Sequence, residues 1–595
     1  MRLVEIRLLD GPNVYRLEPA VKLEVVVGRR RTWYGQRTPG RHASVRLGAV
    51  VAARTAPASV RVLAAWVRRL HALSGAAGWL ADEGRAVTAT RARISVTIHR
   101  TSEPGHWIVS YPWREKERAE AIAESALRLV ELDIDPRRAR PTARRRGSRS
   151  LARALARIAA AGTSPPEWLR DADRRVPAIS ISGTNGKSTT TRMITHILRV
   201  AGRRVGTTTS DGVLIDEQLV EEGDLTGPMG AHRVLRDPSI DVAVLETARG
   251  GIVLRGVGYE TNEVSVLTNV SADHLDLHGL HTVPELAEVK AVIARMTRQD
   301  GVAVLNADDP LVAAVARTVR ARVCFFSLSK GNRRIRRHTA RAGLALVLDG
   351  DRLVELEGER RRDIVGVGDV PATLGGIARH NIANALAAAA AARAMGVSLR
   401  DVAAGLRDFR PTADQAPGRL NLYRIGEKLV VVDFAHNEAG LDVLLTVAEG
   451  LVGRKGRRTV PVVSIVGTAG DRPDDSLRAM GRMAAQRSDE VAIKETIRYL
   501  RGRTRESVVG ELRAGLMSGG ARPSEIPVWD DEPEALRGEL TSAGRIAGSD
   551  GPAVVLLLCH ADREGVARVL ADLGADPLEA SELPTIRKTF SANGA

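Results

Sequence analysis

The sequence predicts an α/β protein: a P-loop domain on a parallel sheet, a Rossmann-like α/β domain after it, and a small α+β domain in front. Three observations carry this. After Val176, short apolar strands at 178–182, 242–246, 264–270, 302–305 and 323–326 alternate with helical stretches, the pattern of a parallel sheet covered on both faces. The first of these strands runs directly into Gly183-Thr184-Asn185-Gly186-Lys187-Ser188. After Gly418 a second series begins, with strands expected at 429–433, 462–466, 490–493 and 554–558.

Size and composition set the outer bounds. A chain of 595 residues exceeds one hydrophobic core at roughly 100–200 residues per domain. With 44% hydrophobic and 27% charged residues, it is not a largely disordered chain. The longest clean apolar run, 554–559, is far short of the ~20 residues that span a bilayer, so no membrane partner is expected. The opening MRLVEIRLLD has no apolar core of a secretory signal, and two cysteines, Cys324 and Cys559, cannot make a disulfide framework. The expected compartment is a reducing cytoplasm. Lys+Arg 88 against Asp+Glu 71 gives a net charge of +17. That excess reads as a solvated Arg-rich surface or as the mark of an acidic peptide or polymer. Nucleic acid is the weakest partner class, because aromatics are only 3% and no zinc-ligand spacing occurs.

Along the chain, the first 135 residues read as the α+β domain. Alternating strands flank the turn Asp10-Gly11-Pro12-Asn13, and helical spacing covers 60–73 and 115–132, the latter with Ala119, Ile122, Ala126, Leu127 and Val130 on one face. No catalytic constellation appears there, so a binding or docking role is expected. From 136 to 172, Arg137, Arg138, Arg140, Arg144, Arg145, Arg146 and Arg149 sit among Pro, Gly, Ser and Thr. This reads as a solvated linker containing a short helix over 150–160. The expected divisions are therefore 1–135, 136–172, a central ATP-binding domain over 173–415, and a C-terminal domain over 416–595.

The loop after the first strand carries the chemistry. Its glycines let backbone amides turn around phosphate oxygens at a helix N-terminus, with a helix expected over 188–201. Lys187 is placed to reach the β- and γ-phosphates and Ser188 to hold Mg2+. The general Walker spacing asks for glycine at 181, where the chain has Ile181; the glycine stands at Gly183, so the loop is a compact variant. Glu246 ends an apolar strand and reads as a Mg2+ ligand at the carboxyl edge of the sheet, against a salt-bridged or capping role. Asn269, Asp273, His274 and Asp276 cluster after a third strand. Lys290, in a helical stretch over 284–295, reads by itself as a surface lysine.

Taken together, Gly183 to Ser188, Glu246, Thr268-Asn269 through Asp273-His274-Leu275-Asp276, and Lys290 resemble the Mur ligases, three-domain ATP-dependent amide-forming enzymes. The likeness continues at Leu305-Asn306-Ala307-Asp308-Asp309-Pro310, His380-Asn381-Ile382-Ala383-Asn384, Pro417-Gly418-Arg419 and Asp433-Phe434-Ala435-His436-Asn437, in matching order over roughly 175–560. Leu245 to Gly251, Pro417 to Asn421, Lys494-Glu495, Arg501-Gly502-Arg503 and the opening Arg7 to Tyr15 are most similar to the cyanophycin synthetase branch. That branch carries an ATP-grasp domain where this chain has only the Arg-rich stretch, and Glu438 stands where the family has proline.

The resemblance implies a set of roles. Gly183, Thr184, Asn185, Gly186, Lys187, Ser188 and Thr189 would hold the triphosphate, with Asn269 beside them. Ser188 and Glu246 would bind one Mg2+, and His274 with a carbamylated Lys290 a second. Asn381 and Asn384 would read the purine, Arg419 a phosphate and Asp433 the ribose. Catalysis would rest on Lys187, Glu246, His274 and Lys290, through an acyl phosphate attacked by an amino-acid amine. Asp471-Arg472, Lys494-Glu495 and Arg501 to Arg503 are candidates for amine recognition. A helix-capping role for Asn381 is the plain alternative to purine reading. A folylpolyglutamate-synthase-like ligase and an ATP-binding subunit serving a separate ATP-grasp ligase are the alternative functions. Homo-oligomerisation is left open.

Overall fold

The computed structural model describes residues 1–27, 55–75, 94–136, 146–273, 275, 279–453, 460–495, 497–541 and 551–592. They form two compact units. The first comprises Met1–Gly183, Val205–Ala303 and Ala314–Arg322; the second comprises Thr184–Arg204, Val304–Ala313 and Val323–Ala595. This grouping cuts across the divisions expected at 136 and 416.

The first unit opens with an antiparallel sheet of β1 (Arg2–Leu9), β2 (Ala20–Val26), β3 (Thr97–Arg100) and β4 (His106–Pro112), in the order β1–β2–β4–β3. Alternation along β2 sends Val21, Leu23 and Val25 into a core with the helices Ala58–Leu73 and Lys116–Glu131. The expected solvated linker is corrected in part. A helix spans Arg146–Ala159, and Leu151, Ala154 and Ile158 join that same core. Its arginines 149, 153 and 157 face solvent, so of the run that suggested a linker Arg149 stands on the outer face of a packed helix. Residues 137–145 lie outside the described residues.

The same unit then builds the parallel sheet. Its strands are β5 (Ala178–Ser182), β6 (Val205–Thr208), β7 (Gly212–Ile215), β8 (Gln218–Glu222), β9 (Val242–Glu246) and β10 (Asn262–Leu267). They run in the order β10–β5–β9–β6–β7–β8, parallel from β10 to β6 and antiparallel beyond. Every residue of β5 and β9 is buried, as expected for strands covered on both faces. The strand expected to reach residue 270 stops at Leu267, where Thr268 and Asn269 begin a polar loop.

The strand β11 (Thr297–Asn306) leads along the chain into the second unit. There β12 (Arg322–Ser327), β13 (Leu344–Asp349), β14 (Arg352–Glu357) and β15 (Arg360–Gly366) pair in sequence, the first pair parallel and the rest antiparallel. The C-terminal sheet comprises β16 (Asn421–Ile425), β17 (Lys428–Asp433), β18 (Val462–Val466), β19 (Glu490–Lys494), β20 (Val528–Trp529), β21 (Ala553–Leu558) and β22 (Asp576–Pro577). Its order is β20–β19–β18–β21–β17–β16–β22, parallel from β20 to β17, with buried apolar residues on both faces. Among the described residues, no helix is long and apolar enough to cross a membrane.

Candidate nucleotide site

In the first unit the ends of three parallel strands are tied to one another. Thr247 N donates to Ile181 O at 2.7 Å, Ser182 Oγ to Thr247 O at 2.8 Å, and Thr268 N to Ser182 O at 3.1 Å. Gly183 follows at the mouth of this junction. A Cβ there would stand 1.8 Å from Thr268 Oγ1, so the close approach of the two loops requires glycine. The Gly183 carbonyl accepts a hydrogen bond from Lys290 Nζ at 2.5 Å, and Lys290 is buried. The lysine that looked like surface decoration in sequence is thus turned inward from the end of the helix Val283–Lys290.

Glu246 is the last residue of β9 and is buried. It lines a small recess with Thr226, Gly227, Thr247, Gly251 and Val257. One wall is fixed from the far N-terminus. Asp10 N donates to Arg255 O at 2.6 Å, Val257 N to Pro12 O at 2.8 Å, and Gly258 N to Asp10 O at 3.1 Å. Gly11 has φ +82°, and a Cβ on it would lie 3.2 Å from Gly258 N. The segment read in sequence as a plain turn is therefore a docking element beside Glu246. Its turn chemistry was legible; its target was not.

The rest of the loop belongs to the second unit. Gly186, at φ +82°, is the left-handed residue before the helix Lys187–Val200, and a Cβ on it would meet Asn384 Oδ1 at 2.4 Å. Lys187 Nζ donates to Thr184 O at 2.9 Å, and Ser188 is buried in the first helical turn. Thr190 Oγ1 donates to Asn384 Oδ1 at 3.3 Å, Asn384 Nδ2 to Asn381 Oδ1 at 3.0 Å, and Asn381 Nδ2 to Ala372 O at 2.8 Å. The helix Arg379–Ala394 is preceded by Ala378 at the cap position, so Asn381 is not its N-cap. Asn185 and Asn437 exchange amide hydrogen bonds at 3.4 and 3.2 Å. Asn437 also caps the helix Glu438–Val452 through Gly440 N at 2.8 Å. Glu438 occupies the first helical position, where an acid suits the helix dipole as proline suits the fixed φ.

Arg419 and Asp433 face each other's loops. The Arg419 guanidinium stacks on the Phe434 ring at 4.4 Å from its centroid and donates to Gly418 O at 3.2 Å. Asp433 accepts from Leu420 N and Ala435 N, each at 2.8 Å. Burial pushes its carboxyl pKa up, against the opposing pull of Arg419 and the two amides. Asp433 thereby holds Leu420 in its left-handed conformation, φ +57°. Asn269 and Asp273 are half-buried after β10, while His274 and Asp276 lie outside the described residues.

The proposed amine-recognition residues are engaged with the protein itself. Lys494 is wholly buried at the end of β19; its Nζ donates to Glu532 Oε1 at 2.5 Å and to His560 Nδ1 at 2.9 Å. Glu532 also accepts from His560 N at 2.6 Å and Asp562 N at 2.8 Å. His560 Nε2 lies 2.8 Å from Ala435 O. A carbonyl can only accept, so Nε2 carries the proton and Nδ1 accepts from the lysine. Lys494 is thus corrected to an internal role. Glu495 pairs with Arg505, Arg501 with Asp471, and Arg503 with Asp474 at 2.7 Å.

Residues 181–392 match a family model described as the Mur ligase middle domain. The matched segment contains Gly183, Glu246, Lys290, Asn381 and Asn384; Arg419 and Asp433 follow it. The chain is 43% identical over 372 residues to a cyanophycin synthetase of Crocosphaera subtropica, covering 62% of this chain and 41% of the relative. It is 36% identical over 239 residues to a UDP-N-acetylmuramoylalanine–D-glutamate ligase of Pelotomaculum thermopropionicum, covering 40% and 45%. A solved bifunctional folylpolyglutamate synthase/dihydrofolate synthase of Yersinia pestis aligns with TM-score 0.48 and 21% identity, over 67% of this chain and 89% of that one. The chain spans about two fifths of the length of the cyanophycin synthetase it matches.

Proposed function

We propose that this chain is an ATP-dependent carboxylate–amine ligase that forms an amide bond through an acyl phosphate, adding an amino acid to an acidic peptide or polymer. The observation that carries the reading is the strand–loop–helix of Ala178 to Val200, with its glycine-only approach at Gly183 and left-handed Gly186, at the start of the segment that matches the Mur ligase middle domain. A Cβ at Gly183 would collide with Thr268 and one at Gly186 with Asn384, so this tight backbone path, of the kind that wraps phosphate, requires glycine at both. The names of the similar proteins, synthetase and ligase, agree with this chemistry.

In this reading the substrate carboxylate attacks the γ-phosphorus of ATP and ADP leaves. The amine nitrogen then attacks the acyl carbon and phosphate departs, leaving the amide. Lys187 and the amides of 183–189 position the triphosphate and offset its charge as the carboxylate approaches. Ser188 and Glu246 supply the oxygen donors that fit Mg2+, which when bound screens the phosphate oxygens. Lys290, as an amine, cannot ligate such a cation. Carbamylation would convert it to an oxygen donor, and with His274 it would then serve a second ion. Asn384 and Asn381 set the base side of the site, while Arg419 and Asp433 act from the Gly418–Leu420 turn. A separate ATP-grasp ligase would supply any second activation step.

The test is ADP release with Mg2+-ATP across poly-aspartate, a β-Asp-Arg dipeptide and γ-glutamyl peptides, each against the common amino acids, with Lys187→Ala as blank. Turnover that requires both an acidic acceptor and one amine, with the matching mass gain, is the expected result. Nucleotide binding without turnover on any pair would replace the reading with that of a partner-dependent subunit.

A further inference from the structure

Between Pro310 and Asp349 the sequence contains nine Lys or Arg and no Asp or Glu. The second unit gathers the centre of this block into one rigid element, the helix Arg333–Thr339. Asn332 caps it by accepting from Arg334 N at 2.8 Å and donating to Asp308 Oδ1 at 2.7 Å. Ile335 is buried beneath it. The His338 ring packs edge-on against Phe325 at 5.0 Å, with Nε2 3.1 Å from Val323 O. These anchors leave Arg333, Arg336 and Arg337 on the exposed side, with Arg341 exposed just past the helix end. Among the described residues none of these four forms an ion pair.

The neighbouring hairpin shows what the fold does where it neutralises arginine. There Arg352 pairs with Asp363 at 2.7 Å, Arg361 with Asp349 at 3.2 Å and Arg362 with Glu355 at 2.8 Å. The arginine helix has the opposite arrangement. Arg333 and Arg334 occupy its first turn with no acid, against the helix dipole. Arg333 also repels Arg336 and Arg337 at i+3 and i+4. Arg336 and Arg337 stand in its last turn, where the dipole accepts cations, and three separate anchors hold the helix, so its arginines form a preorganised cationic face.

We propose that Arg333, Arg336, Arg337 and Arg341 form a docking face for an acidic polypeptide, holding its carboxylates while the ligase site acts elsewhere on the chain. The choice of a polypeptide rests on the ligase reading and on charge complementarity. The guanidinium fork pairs with carboxylates two bonds at a time. Single-stranded nucleic acid would want stacking platforms, and the large exposed hydrophobics among the described residues are Leu, Val and Met, with no aromatic.

The experiment is fluorescence anisotropy of labelled poly-L-glutamate with the full chain at low salt, in the absence of ATP. The variants are the fourfold Arg→Glu reversal at 333, 336, 337 and 341 and the fourfold Arg→Gln. Reversal is expected to weaken binding roughly tenfold or more and to flatten its salt dependence, with Arg→Gln in between. Both variants should stay folded, with a melting temperature no lower than that of wild type. Equal affinity for wild type and both arginine variants overturns the proposal. Tighter, reversal-sensitive binding of duplex DNA overturns the polypeptide occupant. If poly-glutamate binds through this face while no acidic acceptor supports ADP release, the ligase reading falls and the docking face stands.

Discussion

Two buried lysines, each at the carboxyl edge of a parallel sheet, have been given opposite surroundings. Lys494 lies in a closed cluster. Glu532 meets its charge, His560 Nδ1 accepts a second N–H hydrogen bond, and backbone amides fill the remaining carboxylate valences. Lys290 instead points at the carbonyl of Gly183, the first residue of a loop whose backbone approach only glycine permits. A polar cluster that satisfies itself is architecture; it has nothing left to offer a ligand. A strand end opened by glycines, with a carboxylate and a hydroxyl nearby in sequence motifs that suit phosphate and Mg2+, is where chemistry can be placed.

The comparison can be broken at either lysine's region. The largest effect is expected at the loop: Lys187→Ala should lower ADP release by about a hundredfold or more while leaving the unfolding midpoint in place, since it removes charge stabilisation and no core contact. A drop in melting temperature equal to the loss of activity would show that the loop is structural after all. Next, Glu532→Ala should destabilise the chain by about 3–5 kcal/mol in urea unfolding, because it strands a buried ammonium. The double change Glu532→Leu with Lys494→Met should recover much of that. If the single and double variants are equally unstable, the pair is not the energetic centre of its cluster.

Acid sharpens the same contrast. Burial alone would raise the Glu532 pKa, but Lys494, His560 and the backbone amides outweigh it and hold the carboxyl below its ordinary 4.5. A carboxylate with a depressed pKa contributes stability that is fully present above its unfolded value and is lost as pH falls through the folded one. The stability gap between wild type and Glu532→Gln should therefore be constant at neutral pH and narrow below about pH 4.5, followed by urea midpoints against pH. A gap that widens on acidification would contradict the assigned charges. Gly186→Ala should cost about 1–3 kcal/mol from its left-handed backbone and the Asn384 contact. Its nucleotide affinity should fall further than its stability, as read by titration calorimetry. The smallest effect belongs to Asn437→Ala, about 1 kcal/mol for the lost cap, with a modest rise in KM for ATP if the Asn185 pairing shapes the loop.

Much of the fold was readable because buried parallel strands are short continuous apolar runs. The runs at 178–182, 242–246 and 462–466 coincide with observed strands. The loop was readable because glycine and lysine at fixed spacing have few other uses between a strand and a helix. What misled was charge taken without geometry. Lys494-Glu495 looked like a substrate-facing pair, and burial with Glu532, 38 residues away, reverses that. The Arg-rich stretch looked solvated, yet its apolar residues Leu151, Ala154 and Ile158 recur at helical spacing and pack. The helix itself was expected over 150–160; its packing into the N-terminal core was not.

By itself, then, the sequence determined where the buried apolar strands around the loop and in the C-terminal sheet lie, where the phosphate-type loop lies, and which family's motifs the chain carries. Each of these depends on residues within a few positions of one another. Only the tertiary structure decided which lysine is walled in and which meets the loop, that Asp10 to Asn13 docks beside Glu246, and that Arg333, Arg336, Arg337 and Arg341 form no ion pair among the described residues. Those outcomes depend on partners brought together from distant parts of the chain. Burial and charge pairing, unlike hydrophobic periodicity, are properties of the assembled neighbourhood and leave no local trace in sequence.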